Sequence, residues 1–546
     1  MGVPIGIDLG TTYSAIAKWE NTPGHVGANV YHVPLEGGYT MASKVFMQDV
    51  NDRTKYIVGQ AALNKGALLP DMHFSAFKRG MDQNATIRRG DFSTTPVELS
   101  SIILRELLKV AEDVESPKTF VPEGLVVSVP YYFTEVQNQH TVEAVRLALD
   151  SLYKGRPGYS DKIFLRLIPE PVAAGLDYVF EHPNDIKDAK VLIFDLGGGT
   201  FDVTVFHILN DLDKRTVKFK VLSTGGDARL GGEDFDESLK EYVIASEGID
   251  IDSCPEKGSI KDRILLALSK ESTRCKCALS VAPDDTMIVA PFFYDSKALD
   301  KVIQQSEFTD CVKGNLGLKV DFCAKIDDVI TETVDASGLR LSDIDRVVLI
   351  GGSSRIPCIK KLLSRKFSDN KIFEGNISEG VARGAALLAA SILDKNHNAN
   401  NHLARWDSVE IIENTAHSIG VVTSNGRVDQ IIGRNVMTPA RGTKLYQPQS
   451  LSADGQFVEL NKIDIRQGTA NVGYVEFPRI WAHGRKPSDI IIKVELIAES
   501  TSIKALITVK GGNEDGSDLF VEKTLDFYQS GNNVTCLLYT SPSPRD

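Results

Sequence analysis

The stretch Ile5-Gly6-Ile7-Asp8-Leu9-Gly10-Thr11-Thr12 runs from an apolar, strand-like segment through an aspartate into a turn of glycine and threonine. The same pattern returns in Leu192-Ile193-Phe194-Asp195-Leu196-Gly197-Gly198-Gly199-Thr200. A third variant, Val347-Val348-Leu349-Ile350-Gly351-Gly352-Ser353-Ser354-Arg355, keeps the strand and the glycines but lacks the aspartate. Matched copies so far apart in the chain predict a duplicated fold that closes on one ligand from both sides.

The chemistry of these turns suits a phosphate group. Glycine lets the backbone turn with positive φ and brings several N–H groups close to one anion, and threonine hydroxyls add donors. Asp8 and Asp195 would repel a bare nucleotide, so the pattern predicts a divalent cation between them. Magnesium fits, because it keeps several waters and needs few carboxylates when phosphates are present. The sequence lacks a Walker A lysine motif and a helix-opening GxGxxG with a downstream acid, which argues against P-loop and dinucleotide folds.

Residues 1–395 alternate strand-like and helix-like segments, which predicts α/β layers. The apolar run 126–129, closed by Pro130, is typical of a buried strand. Thr95-Pro96-Val97-Glu98 and Thr134-Glu135-Val136-Gln137 have capping-box spacing and predict helix starts. The first of these helices carries an apolar face made of Leu99, Ile102, Ile103, Leu107 and Leu108.

The remaining residues divide into three segments. Residues 396–407 are polar and without periodicity, which predicts a linker. Residues 408–535 contain an Asn425-Gly426 hairpin signal and the alternating runs 492–496 and 503–509, so they predict a small all-β domain. Residues 536–546 resemble translated adapter sequence and are interpreted as a non-native tail.

Composition narrows the choice of partners and compartment. The chain has 546 residues, which is too long for one hydrophobic core, and a net charge of −12. An acidic surface repels nucleic acid and anionic lipid, so neither is an expected partner. The seven scattered cysteines fit a reducing compartment rather than a disulfide framework. With no visible signal peptide and no membrane-spanning run, we expect the cytoplasm, with the nucleus as a second possibility.

Several motifs together resemble those of the heat shock protein 70 family of actin-like ATPases. Residues 7–14 resemble the first phosphate loop of that family, and residues 193–202 the second. Gly231-Gly232-Glu233-Asp234-Phe235-Asp236 resembles the interlobe segment, and residues 350–357 the adenosine loop. The resemblance covers residues 1–393 well and 408–535 only faintly. It implies a two-lobed, duplicated ribonuclease H-like nucleotide-binding domain followed by a small β domain.

The resemblance also implies a role for each matched residue. Lys78, Glu170, Asp202 and Thr200 would be catalytic, with Lys78 on the γ-phosphate and the two acids around the attacking water. Asp8 and Asp195 would hold Mg²⁺ through its waters, and K⁺ is a further candidate ion. The phosphates of ATP or ADP would be held by Gly10, Thr11, Thr12, Tyr13, Gly197, Gly198, Gly199 and Thr200. The ribose and adenine would be lined by Gly232, Glu233, Lys276, Ser280, Gly351, Gly352, Ser353 and Arg355.

Three departures from the family pattern bear on regulation. Thr273 replaces the adenine-side glutamate, and Ile377-Ser378 replaces a Pro-Asp pair near the adenosine. Pro169 and Val172 replace residues of the surface that contacts J-domain co-chaperones, which argues against stimulation by a typical J-domain. The polar linker lacks the run of leucines that couples nucleotide state to client binding.

The resemblance implies an ATP-dependent protein-folding chaperone of the stress response that slowly hydrolyses Mg-ATP and binds unfolded or apolar polypeptide segments. Its partners would include a nucleotide-exchange factor or other chaperones. The alternative is a non-hydrolysing or uncoupled exchange co-chaperone resembling the heat shock 110-type relatives, which the unusual linker favours. A sugar or metabolite kinase would need an acceptor-binding aspartate and insert that the sequence does not reveal.

Overall fold

The computed structural model describes residues 3–22, 25–49, 52–66, 69–89, 92–115, 119–156, 159, 163–183, 186–251, 259–282, 285–294, 297–397, 408–499 and 502–526. The chain divides into two units. The first contains Met1–Tyr131, Glu143–Phe219 and Ser223–Glu410, and the second contains Tyr132–Val142, Lys220–Leu222 and Ile411–Asp546. None of the helices in the described part of the chain combines the length and the apolar character that a membrane span requires.

The first duplicated half of the first unit is built from short strands and long helices. In chain order the elements are β1 (Pro4–Asp8), β2 (Tyr13–Thr22), β3 (His25–Val30), β4 (Met41–Ala42), β5 (Val45–Met47), β6 (Tyr56–Val58), α1 (Gly59–Gly66), β7 (His73–Phe74), β8 (Ile87–Arg89), β9 (Phe92–Thr94), α2 (Pro96–Glu115), β10 (Gly124–Val129), α3 (Glu135–Tyr153), β11 (Phe164–Pro169) and α4 (Glu170–Glu181).

The second half continues with longer strands. Its elements are β12 (Asp188–Leu196), β13 (Phe201–Asp211), β14 (Thr216–Asp227), α5 (Gly232–Ser246), α6 (Ser259–Val281), β15 (Thr286–Tyr294), β16 (Lys297–Ile303), α7 (Gln305–Val312), α8 (Phe322–Ala336), β17 (Arg346–Ile350), α9 (Pro357–Lys366), β18 (Ile372–Glu374) and α10 (Gly380–His397). After α10 the regular elements are mainly strands, which in chain order are β19 (Ser408–Ile412), β20 (Ile419–Val422), β21 (Val428–Ile432), β22 (Ala440–Tyr446), β23 (Lys462–Gln467), β24 (Ala470–Glu476), β25 (Ile492–Ala498), β26 (Ser502–Val509) and β27 (Leu519–Asp526).

Two large sheets, one in each duplicated half, repeat one topology. The first has the order β11-β10-β1-β2-β3, with β1 parallel to β10 and antiparallel to β2. The second has the order β18-β17-β12-β13-β14-β19, with β12 parallel to β17 and antiparallel to β13. The predicted duplication is therefore confirmed, and β12 occupies the position of β1. The third motif belongs to β17, which is the counterpart of β10 rather than a third copy of β1.

The capping box predicted at Thr95 forms in full, and the one predicted at Thr134 forms in part. Thr95 Oγ1 accepts the Glu98 N–H at 3.2 Å, and Glu98 Oε2 accepts the Thr95 N–H at 3.1 Å at the start of α2. The Gln137 side chain likewise accepts the Thr134 N–H at 2.9 Å at the start of α3. On the apolar face of α2 one residue differs from the prediction, because Ile102 is only half-buried whereas Leu104 is buried.

The backbone of helix α10 packs directly against the backbone of strand β1 in the first sheet. A Cβ placed on Gly6 would lie 2.1 Å from the Ala386 nitrogen, so only glycine fits there. A Cβ placed on Gly384 of the same helix would lie 1.8 Å from the Ala173 carbonyl oxygen in α4. The helix ends at His397, so the first two residues of the predicted linker are helical. Residues 398–407 lie outside the described part of the chain, and the domain boundaries stay predictions.

The close approach at Gly6 gives a prediction for stability. Gly6→Ala is expected to lower the free energy of unfolding by about 1–3 kcal/mol, because the new methyl must displace the α10 backbone. Gly38→Ala is the matched control, since a Cβ there would meet no heavy atom within 4 Å. Urea unfolding of the two variants measures the difference. Equal stabilities would show that α10 does not pack as described.

The eight strands from β20 to β27 form two four-stranded sheets, with the orders β21-β20-β23-β24 and β22-β25-β26-β27. One apolar core contains inward-facing residues of both sheets, including Ile465 and Val475 of the first and Leu496 and Ile507 of the second. The arrangement is a β-sandwich. The predicted all-β character of this segment is confirmed for the described residues 408–499 and 502–526.

Candidate functional site

The centre of the site is a buried lysine among acids. Lys78 is 4% exposed, and its Nζ donates to Glu170 Oε1 at 2.6 Å and to the Leu9 carbonyl. Glu170 is the first residue of α4, following Pro169 at the end of β11. Asp8 ends β1 and accepts from Ser128 Oγ at 2.8 Å. The fold thereby places the ends of β1, β10 and β11 beside one lysine.

Two more predicted acids lie on the facing half. Asp195 near the end of β12 pairs in register with Asp202 of β13. Asp202 is 2% exposed, and neither of its carboxylate oxygens has a hydrogen-bond partner among the described residues. A buried carboxylate with open acceptor positions is costly unless a ligand completes it. This orphaned group points to a ligand rather than to a structural role.

Burial and neighbouring charges raise the pKa values of three of these acids. Burial, followed by the charge of Glu170, raises the pKa of Asp8 to about 7. Burial raises the pKa of Asp195 well above its usual range, with Glu170 and Asp8 adding to the shift. Burial does the same for the pKa of Asp202, with further contributions from Glu170 and Asp195. Lys78 opposes all three shifts. The ionised forms of these acids are therefore unfavourable in the ligand-free protein, and a bound cation would stabilise them.

The two glycine-rich turns face each other. A Cβ on Gly198 would lie 1.9 Å from Thr12 Oγ1, and a Cβ on Gly199 would lie 2.6 Å from Thr11 Cγ2. The second turn is closed by the Gly197 N–H, which donates to the Thr200 carbonyl at 3.0 Å. A side chain at Gly198 or Gly199 would therefore collide with the threonine side chains of the first turn.

The interlobe segment connects these turns. The Gly232 and Glu233 N–H groups donate to the carbonyls of Gly197 and Gly198 at 3.0 and 2.7 Å. Thr12 Oγ1 donates to Glu233 Oε1 at 3.0 Å, which places Glu233 beside the first phosphate loop as well as at the start of α5.

The predicted adenosine side centres on Lys276. Its Nζ donates to Asp236 Oδ2 at 2.7 Å and to the Gly232 carbonyl at 2.8 Å. Thr273, which replaces the family's glutamate, donates to the same Asp236 oxygen at 2.8 Å. A Cβ on Gly232 would lie 2.3 Å from Ser353 Oγ, so the adenosine loop and the interlobe segment are adjacent.

The other residues predicted to bind the nucleotide differ in their burial and in their contacts. Gly351 has φ of 76° and lies beside Asp195, since a Cβ there would lie 2.6 Å from Asp195 Oδ1. Tyr13 is half-exposed. Ser280 lies one turn beyond Lys276 and donates to its carbonyl, so its hydroxyl is used within α6. Arg355 is half-exposed, 3.9 Å from Glu374.

Three further residues belong to the site although the sequence did not single them out. Arg79 Nη2 donates to the Gly199 carbonyl at 2.7 Å and lies 3.4 Å from Asp234, so it connects the two halves. Ser128 holds Asp8, and Asp236 holds Lys276. Two signals were available: Ser128 is the only hydroxyl residue in the apolar run 126–129, and Asp236 closes the glycine-rich interlobe motif.

The donor set fits a hydrated magnesium ion. Among the described residues, His, Cys, Asp and Glu do not form groups of three or more that could enclose a metal. Mg²⁺ usually keeps several waters and takes one or two carboxylates together with phosphates. Asp8 and Asp195, buried at the ends of matched strands, would supply the carboxylates.

A family model described as Hsp70 protein matches residues 80–472. The match covers more than half of the chain, and the chain belongs to the Hsp70 family. It spans Glu170, Asp195, Asp202, the interlobe segment and the adenosine loop, and it extends into the β-sandwich. Asp8, the first phosphate loop and Lys78 precede the matched range. Members of this family are nucleotide-binding chaperones, so the general function is chaperone-type, and the α/β actin-like ATPase fold is confirmed.

The contact between the interlobe segment and the second turn is open to test. Gly231→Ala is expected to weaken ADP binding about tenfold, equivalent to ~1.4 kcal/mol, because the added Cβ would lie 2.6 Å from the Gly198 carbonyl group. Fluorescence anisotropy with a labelled ADP measures the affinity, with Gly38→Ala as the control. An unchanged dissociation constant would show that the second glycine-rich turn does not contribute to nucleotide binding.

Proposed function

We propose that this chain binds Mg-ATP in its N-terminal unit, hydrolyses it slowly, and uses the nucleotide to regulate binding of unfolded polypeptide. The observation that carries the proposal is the buried Lys78–Glu170 pair beside Asp8, Asp195 and Asp202. Phosphoryl transfer needs positioning and charge neutralisation more than covalent chemistry, and this cluster supplies both.

Each side chain of the cluster would have a separate role in ATP binding and hydrolysis. Mg²⁺, when bound, would offset charge on the phosphates. The Lys78 ammonium is held in place by Glu170 and the Leu9 carbonyl, so it needs little reorganisation to meet a γ-phosphate oxygen. Asp202 keeps two acceptor oxygens available and would orient the attacking water and accept its proton. The backbone N–H groups of the two glycine-rich turns would bind the phosphates.

The polypeptide would bind to the β-sandwich. Its exposed apolar side chains include Met437, Leu445 and Phe520. Exposed side chains of this kind suit an extended, apolar segment. The expected cytoplasmic location and a role in the stress response belong to this proposal.

The uncoupled exchange co-chaperone is the second candidate. Val172, at a position of the family's J-domain contact surface, is fully buried, and Pro169 precedes it at the end of β11. An apolar pair offers a J-domain little polar recognition. This departure and the polar sequence of 396–407 favour weak stimulation by co-chaperones.

Single-turnover hydrolysis separates the two candidates. Radiolabelled ATP is bound in the presence of Mg²⁺, and phosphate release is followed with and without a reduced, alkylated, permanently unfolded protein. The coupled chaperone predicts slow hydrolysis that the unfolded protein accelerates. Hydrolysis without acceleration, or ATP binding without hydrolysis, would support the uncoupled co-chaperone. Failure to bind ATP would overturn both.

A further inference from the structure

Two buried serines hold the first glycine-rich turn at Gly10. Ser14 lies in strand β2, Ser43 lies in the short connection between β4 and β5, and each is 1% exposed. The Gly10 N–H donates to Ser14 Oγ at 3.1 Å, and Ser43 Oγ donates to the Gly10 carbonyl at 2.8 Å. The two hydroxyl oxygens lie 2.9 Å apart. Both backbone polar groups of Gly10 are therefore bonded to this serine pair.

The number of hydroxyl protons fixes the direction of each hydrogen bond. A carbonyl oxygen can only accept, so the one hydroxyl proton of Ser43 is directed to Gly10. Ser14 must then donate to Ser43, while it accepts the Gly10 N–H. The three hydrogen bonds form a closed ring in which each bond polarises the next. Loss of either hydroxyl would open the ring.

Ser43 makes a second contact with the same turn. Its backbone N–H donates to the Thr12 carbonyl at 2.8 Å, so Ser43 binds the two alternate carbonyls of Gly10 and Thr12. A peptide group is planar and trans, which directs each N–H opposite to the carbonyl of its own peptide. The N–H groups of Thr11 and Tyr13 belong to these two peptides, so they point away from Ser43.

The peptide between Leu9 and Gly10 has the reverse orientation. Its N–H points toward Ser14, so its carbonyl points away from the serine pair and accepts from Lys78 Nζ. The lysine ammonium and the two N–H groups of the turn therefore lie on the side remote from the serine pair. Backbone N–H groups directed to one side of a turn form an anion-binding concavity.

We propose that Ser43 is a positioning residue of the phosphate-binding turn, a role that deepens the proposed function and rests on it. Through its hydroxyl and its N–H, Ser43 orients two peptides so that the N–H groups of Thr11 and Tyr13 face a phosphate of the nucleotide. Gly10 shapes the turn instead of binding the ligand, because its own N–H is used within the protein. Only glycine fits there, since a Cβ would lie 1.9 Å from the Tyr13 carbonyl oxygen.

Ser43→Ala tests this role because it removes the hydroxyl and keeps the backbone N–H. The probes are ADP and tripolyphosphate, which carry phosphates, and adenosine, which does not. Competition against labelled ADP gives the first two affinities, and equilibrium dialysis of radiolabelled adenosine gives the third. We expect ADP and tripolyphosphate to bind about tenfold more weakly, the effect of one lost hydrogen bond, and adenosine to bind as before. Equal losses for all three probes, or an unchanged tripolyphosphate affinity, would overturn the role.

Ser14→Ala is the matched comparison, because Ser14 is as buried as Ser43 but its hydroxyl contacts neither carbonyl of the turn. Ser43 keeps both of its carbonyl contacts in this variant and loses only the bond that polarises its hydroxyl. The tripolyphosphate affinity is therefore expected to fall by no more than about threefold. A loss as large as that of Ser43→Ala would contradict the assignment to Ser43.

Ser43→Cys covers the case in which Ser43→Ala does not fold. The thiol has a shape similar to that of the hydroxyl but is a weak donor, so tripolyphosphate should again bind more weakly and adenosine as before. An unchanged tripolyphosphate affinity in this variant would overturn the positioning role while leaving the proposed function in place. Failure of the wild type to bind either ADP or tripolyphosphate would instead overturn the proposed function.

Discussion

Lys78→Met is expected to slow single-turnover ATP hydrolysis by about 100-fold or more, because it removes the only lysine that contacts Glu170 among the described residues. ADP affinity should change by only a few-fold, since the phosphate-binding backbone and the adenosine side remain. The measurement is phosphate release from a preformed complex, beside equilibrium binding of labelled ADP. Lys65→Met, at an exposed position in the last turn of α1, is the control.

A loss of activity could also come from a damaged fold, because Lys78 is buried. Removing one partner of a buried pair typically costs about 3–5 kcal/mol. The double variant Lys78→Met/Glu170→Gln removes both charges and is expected to regain most of that stability while remaining inactive. Melting temperatures of the ligand-free proteins check the first point. Recovery of hydrolysis in the double variant would show that Lys78 serves only the fold.

Asp202→Asn is expected to have opposite effects on stability and on activity. The carboxylate of Asp202 is buried without a hydrogen-bond partner among the described residues, so its ionised form is unfavourable in the ligand-free protein. An amide removes that charge, and we expect a gain of about 1–3 kcal/mol in the free energy of unfolding. Hydrolysis should fall by about 100-fold, the usual contribution of a general base.

The sign of the pH dependence follows from the direction of the pKa shift. The folded-state pKa of Asp202 is above the value of the unfolded chain, so the folded protein binds its proton more tightly and loses stability as pH rises between the two values. The advantage of Asp202→Asn is therefore expected to be larger at pH 8 than at pH 5. Asp213→Asn, in the exposed turn after β13, should match the wild type. A destabilised Asp202→Asn would contradict the burial cost.

Local sequence signals predicted the elements whose hydrogen bonds are local. The capping box at Thr95 and the buried run 126–129 form as predicted, and one of the two hydrogen bonds of the box at Thr134 forms, because their partners lie within a few residues. The strand–aspartate–glycine pattern identified β1 and β12 as counterparts, since duplicated sheets place matched residues at matched strand ends. The sequence pattern left the strand position of the third motif open, because a strand and two glycines do not distinguish β1-like from β10-like positions, and the structure places it on β17.

Contacts between distant residues required the folded chain. Nothing local to Arg79 indicates that it reaches the Gly199 carbonyl. The same holds for Ile102, whose half-buried position depends on what packs against α2. The catalytic and binding roles carried over from the family stay predictions, which the variants above test.

The sequence alone determined the class of fold, the repeated glycine-rich turns and the residue types predicted to meet a magnesium nucleotide, because these depend on short-range patterns and on backbone chemistry. Only the tertiary structure decided which side chains share one environment. It buried Asp202 with no hydrogen-bond partner among the described residues, and it joined Lys78 to Glu170. Burial and charge proximity are properties of the packed chain, so they emerge only when the duplicated sheets bring their strand ends together.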